Sequence, residues 1–230
     1  MENDLQISTL KKEIVIGVTN QLSPLLSERA VIATLMSVFP SLRVKRALNI
    51  LRQTQPMIIE LGNTSTGKQK GFFDAIMYLF SIEASTNLIT DIAIMLLAVK
   101  GHSSSINCKR YKPILNANSI EDLTVEKPYI SLGDKLDFLN DCGLACFKKN
   151  VNTNLRNNIA HMDFDIDNDG AFFTYENQKG VISKRQIYIR QELQRITFFN
   201  STVMHQIKVS VDREKESQRH GEKAQIKREG

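Results

Sequence analysis

At 230 residues with 42% hydrophobic side chains, the chain has enough apolar material for one large domain or for a domain with an extension, and needs no disulfide or metal staple. Three cysteines, an odd number without paired spacing, point to a reducing, cytoplasmic setting, and the opening MENDLQISTLKK lacks the apolar core of a secretion signal. A net charge of +5 and a pI near 9.1 suit a polyanionic partner, but seven Lys or Arg against five Asp or Glu from Lys208 to Gly230 put part of that excess in the tail, so no basic stripe stands out.

Residues 1–60 read as helical. Ser27 has the chemistry of a capping residue for a helix that keeps its apolar stripe to Phe39 and stops at Pro40. Ser41 to Gln53 predicts a short amphipathic helix carrying Arg43, Lys45, Arg46 and Arg52, which fits a solvated face better than a phosphate-facing one. The next stretch, PMIIELGNTSTGKQKG, places an apolar run, a G-x4-G-K loop from Gly62 to Lys68 and a helix in the order of a phosphate-binding loop. Gln69 stands where that loop needs a hydroxyl for Mg²⁺, and Asp91 lies inside a helical stripe rather than closing a strand. A flexible polar turn is therefore the expectation.

Phe72 to Val99 is the longest predicted helix, with apolar residues repeating at three and four. Asp74, Glu83 and Asp91 interrupt it and argue against a membrane span. His102 reads as a loop residue at its end. The polar connection 102–130 contains Lys109 and Arg110 beside Tyr111, a cation and aromatic cluster suited to holding single-stranded RNA. A helix or helix pair broken near Gly143 follows, in which Cys142 and Cys146, four apart, read as small buried side chains.

The segment LRNNIAHMDFDIDNDGAFFTYEN, from Leu155 to Asn177, carries the chemistry. It reads as the end of a helix, a strand (MDFDI), a turn (DNDG) and a return strand (AFFTYE), hence a β-hairpin. RQIYI reads as a short strand or linker. The last helix, QELQRITFFNSTVMHQI, docks Leu193, Ile196, Phe199, Val203 and Ile207 on the core, with His205 packing near that stripe, and Asp212 to Gly230 reads as disordered or a frayed helix. Arg156 and His161 set a permanent cation beside a group that titrates near neutral pH. That combination suits RNA cleavage: a base removes the 2′-hydroxyl proton, an acid protonates the 5′-oxygen, and a cation steadies the phosphate. Spacing alone is unspecific, since Arg213 and His220 form a similar pair in the tail. On a regular helix Arg156 and His161 stand about 140° apart, whereas Asn157 and His161 share a face. Either the helix ends before His161 and lets the ring turn back, or a second chain completes the site.

The same string resembles the signature of the HEPN superfamily, in which an Arg, usually followed by a polar residue such as Asn, precedes a His by four to six residues and a short hairpin often comes next. The resemblance extends over roughly Phe72 to Ile207. It implies a mainly all-α protein, an antiparallel helical bundle with a small β-hairpin after the motif helix. It also implies a metal-independent, cofactor-free endoribonuclease that pairs its motifs across a homodimer. His161 would act as base or acid, Arg156 would hold the scissile phosphate, Asn157 would position it and Glu83 would orient Arg156, while Asp163 reads either as orienting His161 or as a hairpin residue facing water. Toxin–antitoxin systems, phage defence and RNA processing are the implied settings, with an antitoxin or regulatory protein as a further partner and no membrane. One departure is that many HEPN toxins carry a Tyr two residues after the His, where Asp163 stands here. The expected organisation is a helical N-terminal extension (1–60), a HEPN-like domain (61–211) and a charged tail (212–230). The alternative is a non-catalytic dimeric module of the same fold that binds RNA or a protein.

Overall fold

In the computed structural model, which describes residues 2–100, 131–178 and 181–229, the chain is mostly helical with one small three-stranded antiparallel sheet. Helix α1 (Glu2–Leu26) buries Ile14, Val18 and Leu22, spaced by four. Helix α2 (Arg29–Val38) starts later than Ser27. The Ser27 hydroxyl donates back to the Pro24 carbonyl at 2.6 Å, so this serine closes α1 instead of capping α2.

Helix α3 (Leu42–Thr64) is longer than the expected Ser41 to Gln53 and runs through Pro56. Its start is doubly fixed. The Ser41 hydroxyl accepts from the Val44 amide at 3.3 Å, and the Ser41 amide donates to the Asp91 carboxylate at 3.0 Å. Burial raises the Asp91 pKa, opposed by the hydrogen bonds from Ser41 and by the charge of Arg43. Asp91 thus serves as an anchor for α3.

Helix α4 (Gly67–Lys100) follows α3 after a link of two residues, Ser65 and Thr66, and the apolar run before Gly62 is helical, so no strand precedes the G-x4-G-K segment and no phosphate-binding loop forms. The glycines have a packing role. A Cβ on Gly67 (φ +52°) would run into the Asn168 carbonyl, and one on Gly71 would lie 2.8 Å from the Gly170 carbonyl and 2.9 Å from Ile166 Cγ2. The DNDG turn therefore rests directly on the first turns of α4. Gly71→Ala, which would gain about 1 kcal/mol at an open helix position, is expected to cost about 1–3 kcal/mol here through overpacking, read as a lower urea midpoint.

The chain continues with α5 (Leu132–Asp141), α6 (Ala145–Asn150) and α7 (Thr153–Ala160). Strands β1 (Phe164–Ile166), β2 (Phe172–Gln178) and β3 (Val181–Ile187) follow in the order β1-β2-β3. The expected hairpin is thus part of a larger sheet, whose longer pairing is β2 with β3, from Phe172 opposite Ile187 to Gln178 opposite Val181. Asp167 organises the β1–β2 turn by accepting from the Asp169 and Ala171 amides at 3.0 and 2.8 Å.

Helix α8 (Ile189–Glu229) buries Ile196, Phe199, Val203 and Ile207. It continues through the charged segment expected to be disordered or a frayed helix, so Asp212 to Glu229 are helical. His205 is exposed on this helix, not packed in its stripe. The expected boundaries at 60/61 and 211/212 fall inside α3 and α8, and side chains of α1 and α2 share one hydrophobic core with those of α4, α5, α6, α7 and α8. Among the described residues no helix is long and apolar enough to cross a membrane.

Candidate functional site

Helix α7 is short, and three contacts fix it. Asn152 caps it by accepting from the Leu155 amide at 3.0 Å, and the Asn152 carbonyl accepts from the buried Tyr78 hydroxyl at 3.1 Å. Leu155 and Ile159, four apart, face the core. Burial pushes the Tyr78 hydroxyl strongly upward, so it stays a donor. With that face committed inward, Arg156 and Asn157 turn outward.

Arg156 meets Glu83 of α4, its side chain 28% exposed and that of Glu83 44%. Its Nε and Nη2 donate to one oxygen, Glu83 Oε1, at 2.8 and 2.6 Å, and Nη1 donates to Asn157 Oδ1 at 3.2 Å. Three of the five guanidinium N–H groups are engaged in this way. The plane of the fork is set by the carboxylate, and the remaining two donors are left for an oxyanion. A half-exposed pair of this kind adds little to stability, about 0–1 kcal/mol, so orientation is its main physical effect.

His161 ends α7 as its C-cap, with φ −95° and ψ 5°. Its amide donates to the Asn157 carbonyl at 2.9 Å, and the residue is exposed. Among the described residues no side-chain hydrogen bond joins His161 to Arg156, to Asn157 or to Asp163. The helix does end before His161, and a hydrogen bond brings Arg156 and Asn157 together while His161 is exposed at the surface. Asp163 is exposed and enters the turn through its backbone.

The turn after His161 is unusual. The Asp163 amide donates to the Asn158 carbonyl at 2.7 Å and the Met162 amide to the Ile159 carbonyl at 3.1 Å, the two bonds of a Schellman motif. Its left-handed position is normally glycine, but here it is Met162, at φ +58° and 72% exposed. Met162→Gly is expected to stabilise the fold by about 1 kcal/mol, seen as a raised melting temperature.

Lys135 of α5 is a nearby cation that the sequence did not single out. Its Nζ donates to Thr90 Oγ1 at 2.9 Å, and its pKa is lowered by burial and by Arg43, against an opposite influence from Glu83. Nothing in the pattern of LGDKLDFLND separates this lysine from any other helix lysine. Of the other residues predicted from sequence, Lys109, Arg110, Tyr111 and His102 lie outside the described residues. His220 places Nδ1 2.7 Å from the Glu216 carbonyl on its own helix, so the second Arg–His spacing builds no site with this ring. Burial pushes the Cys146 thiol up to about 11, which keeps it protonated. Among the described residues no group of three or more His, Cys, Asp or Glu could hold a metal ion. Comparisons of the chain with family models, with curated proteins and with solved structures return no match.

Proposed function

We propose that this chain is a HEPN-type, metal-independent endoribonuclease that cleaves RNA by attack of the 2′-hydroxyl on its own phosphodiester. It acts as a homodimer in which the motifs of two chains, on HEPN-like bundles, serve one RNA groove. The observation that carries the reading is Arg156, held in plane by Glu83 and Asn157 with two N–H donors to spare and followed by the exposed His161. Arg156 binds the phosphate, Asn157 positions it, and His161 moves the proton. The 2′-hydroxyl nucleophile restricts the substrate to RNA. Toxin, defence and RNA-processing roles all accommodate this chemistry.

The test is cleavage of an end-labelled structured RNA in EDTA by the purified chain. Cleavage leaving 2′,3′-cyclic phosphate ends supports the mechanism. RNA left intact at high protein concentration overturns it.

The ion pair with Glu83 also gives a second reading its support. A carboxylate already on Arg156 competes with phosphate, which suits a non-catalytic dimeric module that binds RNA or a protein and keeps the pair for structure. RNA or protein binding without any strand scission would favour that reading.

A further inference from the structure

Helix α3 has two faces. Val44 and Gly62 are buried on one of them. On the other, Leu42, Ile50, Met57 and Leu61 are 62%, 53%, 63% and 47% exposed. At 100° per residue these four fall within an arc about 100° wide, which also holds Arg43, Arg46, Gln53 and Glu60. Single exposed apolar side chains are ordinary, but a row of four along one helix face, interleaved with charges, has the make-up of an interaction surface.

We propose that this face docks a second copy of the chain, α3 against α3, antiparallel about a two-fold axis beside Gln53 and Thr54. In that register Ile50 of each chain packs on Met57 of the other. Arg46 comes opposite Glu60 and Leu61 of the second copy, and symmetry makes that contact twice. Charge selects the direction: Arg43, Lys45, Arg46 and Arg52 lie in the first half of α3 and its one acid, Glu60, near the end, so a parallel pairing would set the cations side by side.

The ends fit as well. Leu42 falls opposite Ser65 of the second copy, and Ser65 borders an open, mainly apolar groove of about 640 Å³ lined by Leu61, Phe72, Phe73, Phe164 and Ile166. The exposed leucine at one end of the stripe thus meets an apolar groove at the other. A helix face about 34 Å long and about 10 Å wide covers less than the roughly 800 Å² per partner of a standard interface. The groove contact therefore supplies needed area, and the expected dimer is a weak one. Because β1 forms one wall of the groove, the pairing brings α3 of one chain against the strand that follows the motif of the other.

This pairing is a separate contact from the motif-to-motif pairing of the proposed function, and its test does not depend on RNA cleavage. Sedimentation velocity of the full chain across the micromolar range is expected to show a monomer–dimer equilibrium. Ile50→Asp, at a solvent-facing position, should raise the dissociation constant about tenfold or more, with an unchanged circular dichroism spectrum. Arg46→Glu and Glu60→Arg should each weaken the dimer and together restore it. A chain that stays monomeric, a dimer indifferent to Ile50→Asp, or a double variant no better than the single ones overturns the proposal. Intact dimer without cleavage would instead count against the nuclease reading alone.

Discussion

His161→Ala is expected to lower the rate of RNA cleavage by about 10²–10⁴-fold while leaving stability within about 0.5 kcal/mol of the parent. Both halves follow from its position. The residue is exposed at the end of α7, and its amide, which the substitution keeps, makes the 2.9 Å bond to Asn157. Arg156→Ala should cost about 10²–10³-fold, the effect of removing a charge-stabilising donor from a transition state. Glu83→Gln should cost less, because the amide still offers an oxygen to Nε and Nη2 but holds the fork more weakly. Since Glu83 acts through Arg156, the double variant Arg156→Ala with Glu83→Gln should be no slower than Arg156→Ala alone. Rates measured by gel on the same labelled RNA, at matched purity, decide the matter. An unchanged rate in His161→Ala would move catalysis away from the motif and leave the binding module as the better reading.

Elements with strong local patterns were legible in the sequence, and contacts between distant segments were not. The long apolar stripe of α4, the motif helix and the strand pair β1–β2 follow from periodicity and from the DNDG turn. Strand β3 was weakly marked because most of its visible side chains are exposed, which removes the alternation that marks a half-buried strand. Helix α3 passed through Pro56 against expectation: the residue sits on the exposed side, where the Arg52 carbonyl that loses its donor can turn to water. The tail composition suggested disorder or a frayed helix, and Asp212 to Glu229 extend a helix already nucleated by buried residues, since propagation costs far less than nucleation. Arg156, Asn157, His161 and Asp163 could be named from one string. That Arg156 rests on Glu83, 73 residues earlier, was expected only through the family resemblance, because the packing of α7 against α4 that makes the contact is encoded by no local pattern. The roles of Gly67 and Gly71 as a seat for a turn about a hundred residues away were hidden for the same reason.

Phe199→Ala is expected to destabilise the fold by about 3–5 kcal/mol, a large part of the 5–15 kcal/mol that typical domains possess. Phe199 is 0% exposed in the first third of α8, and its ring stands edge-on to Phe147 with centroids 5.1 Å apart and planes at 86°. The aromatic pair adds about 0.5–1.5 kcal/mol to the area that it buries. Urea unfolding should show a lower midpoint at an unchanged slope, because the loss lies in the native core and not in the surface exposed on unfolding. A double-mutant cycle with Phe147→Leu would isolate the ring–ring part, and a coupling near zero would show that the cavity alone accounts for the loss. Phe147 belongs to α6, directly before the Asn152 cap of α7, but α7 has its own ties through Tyr78, Leu155 and Ile159. Below its unfolding transition Phe199→Ala should therefore keep its cleavage rate while losing stability, the reverse of His161→Ala. That opposition separates the core that holds the motif in place from the side chains proposed to carry out the reaction.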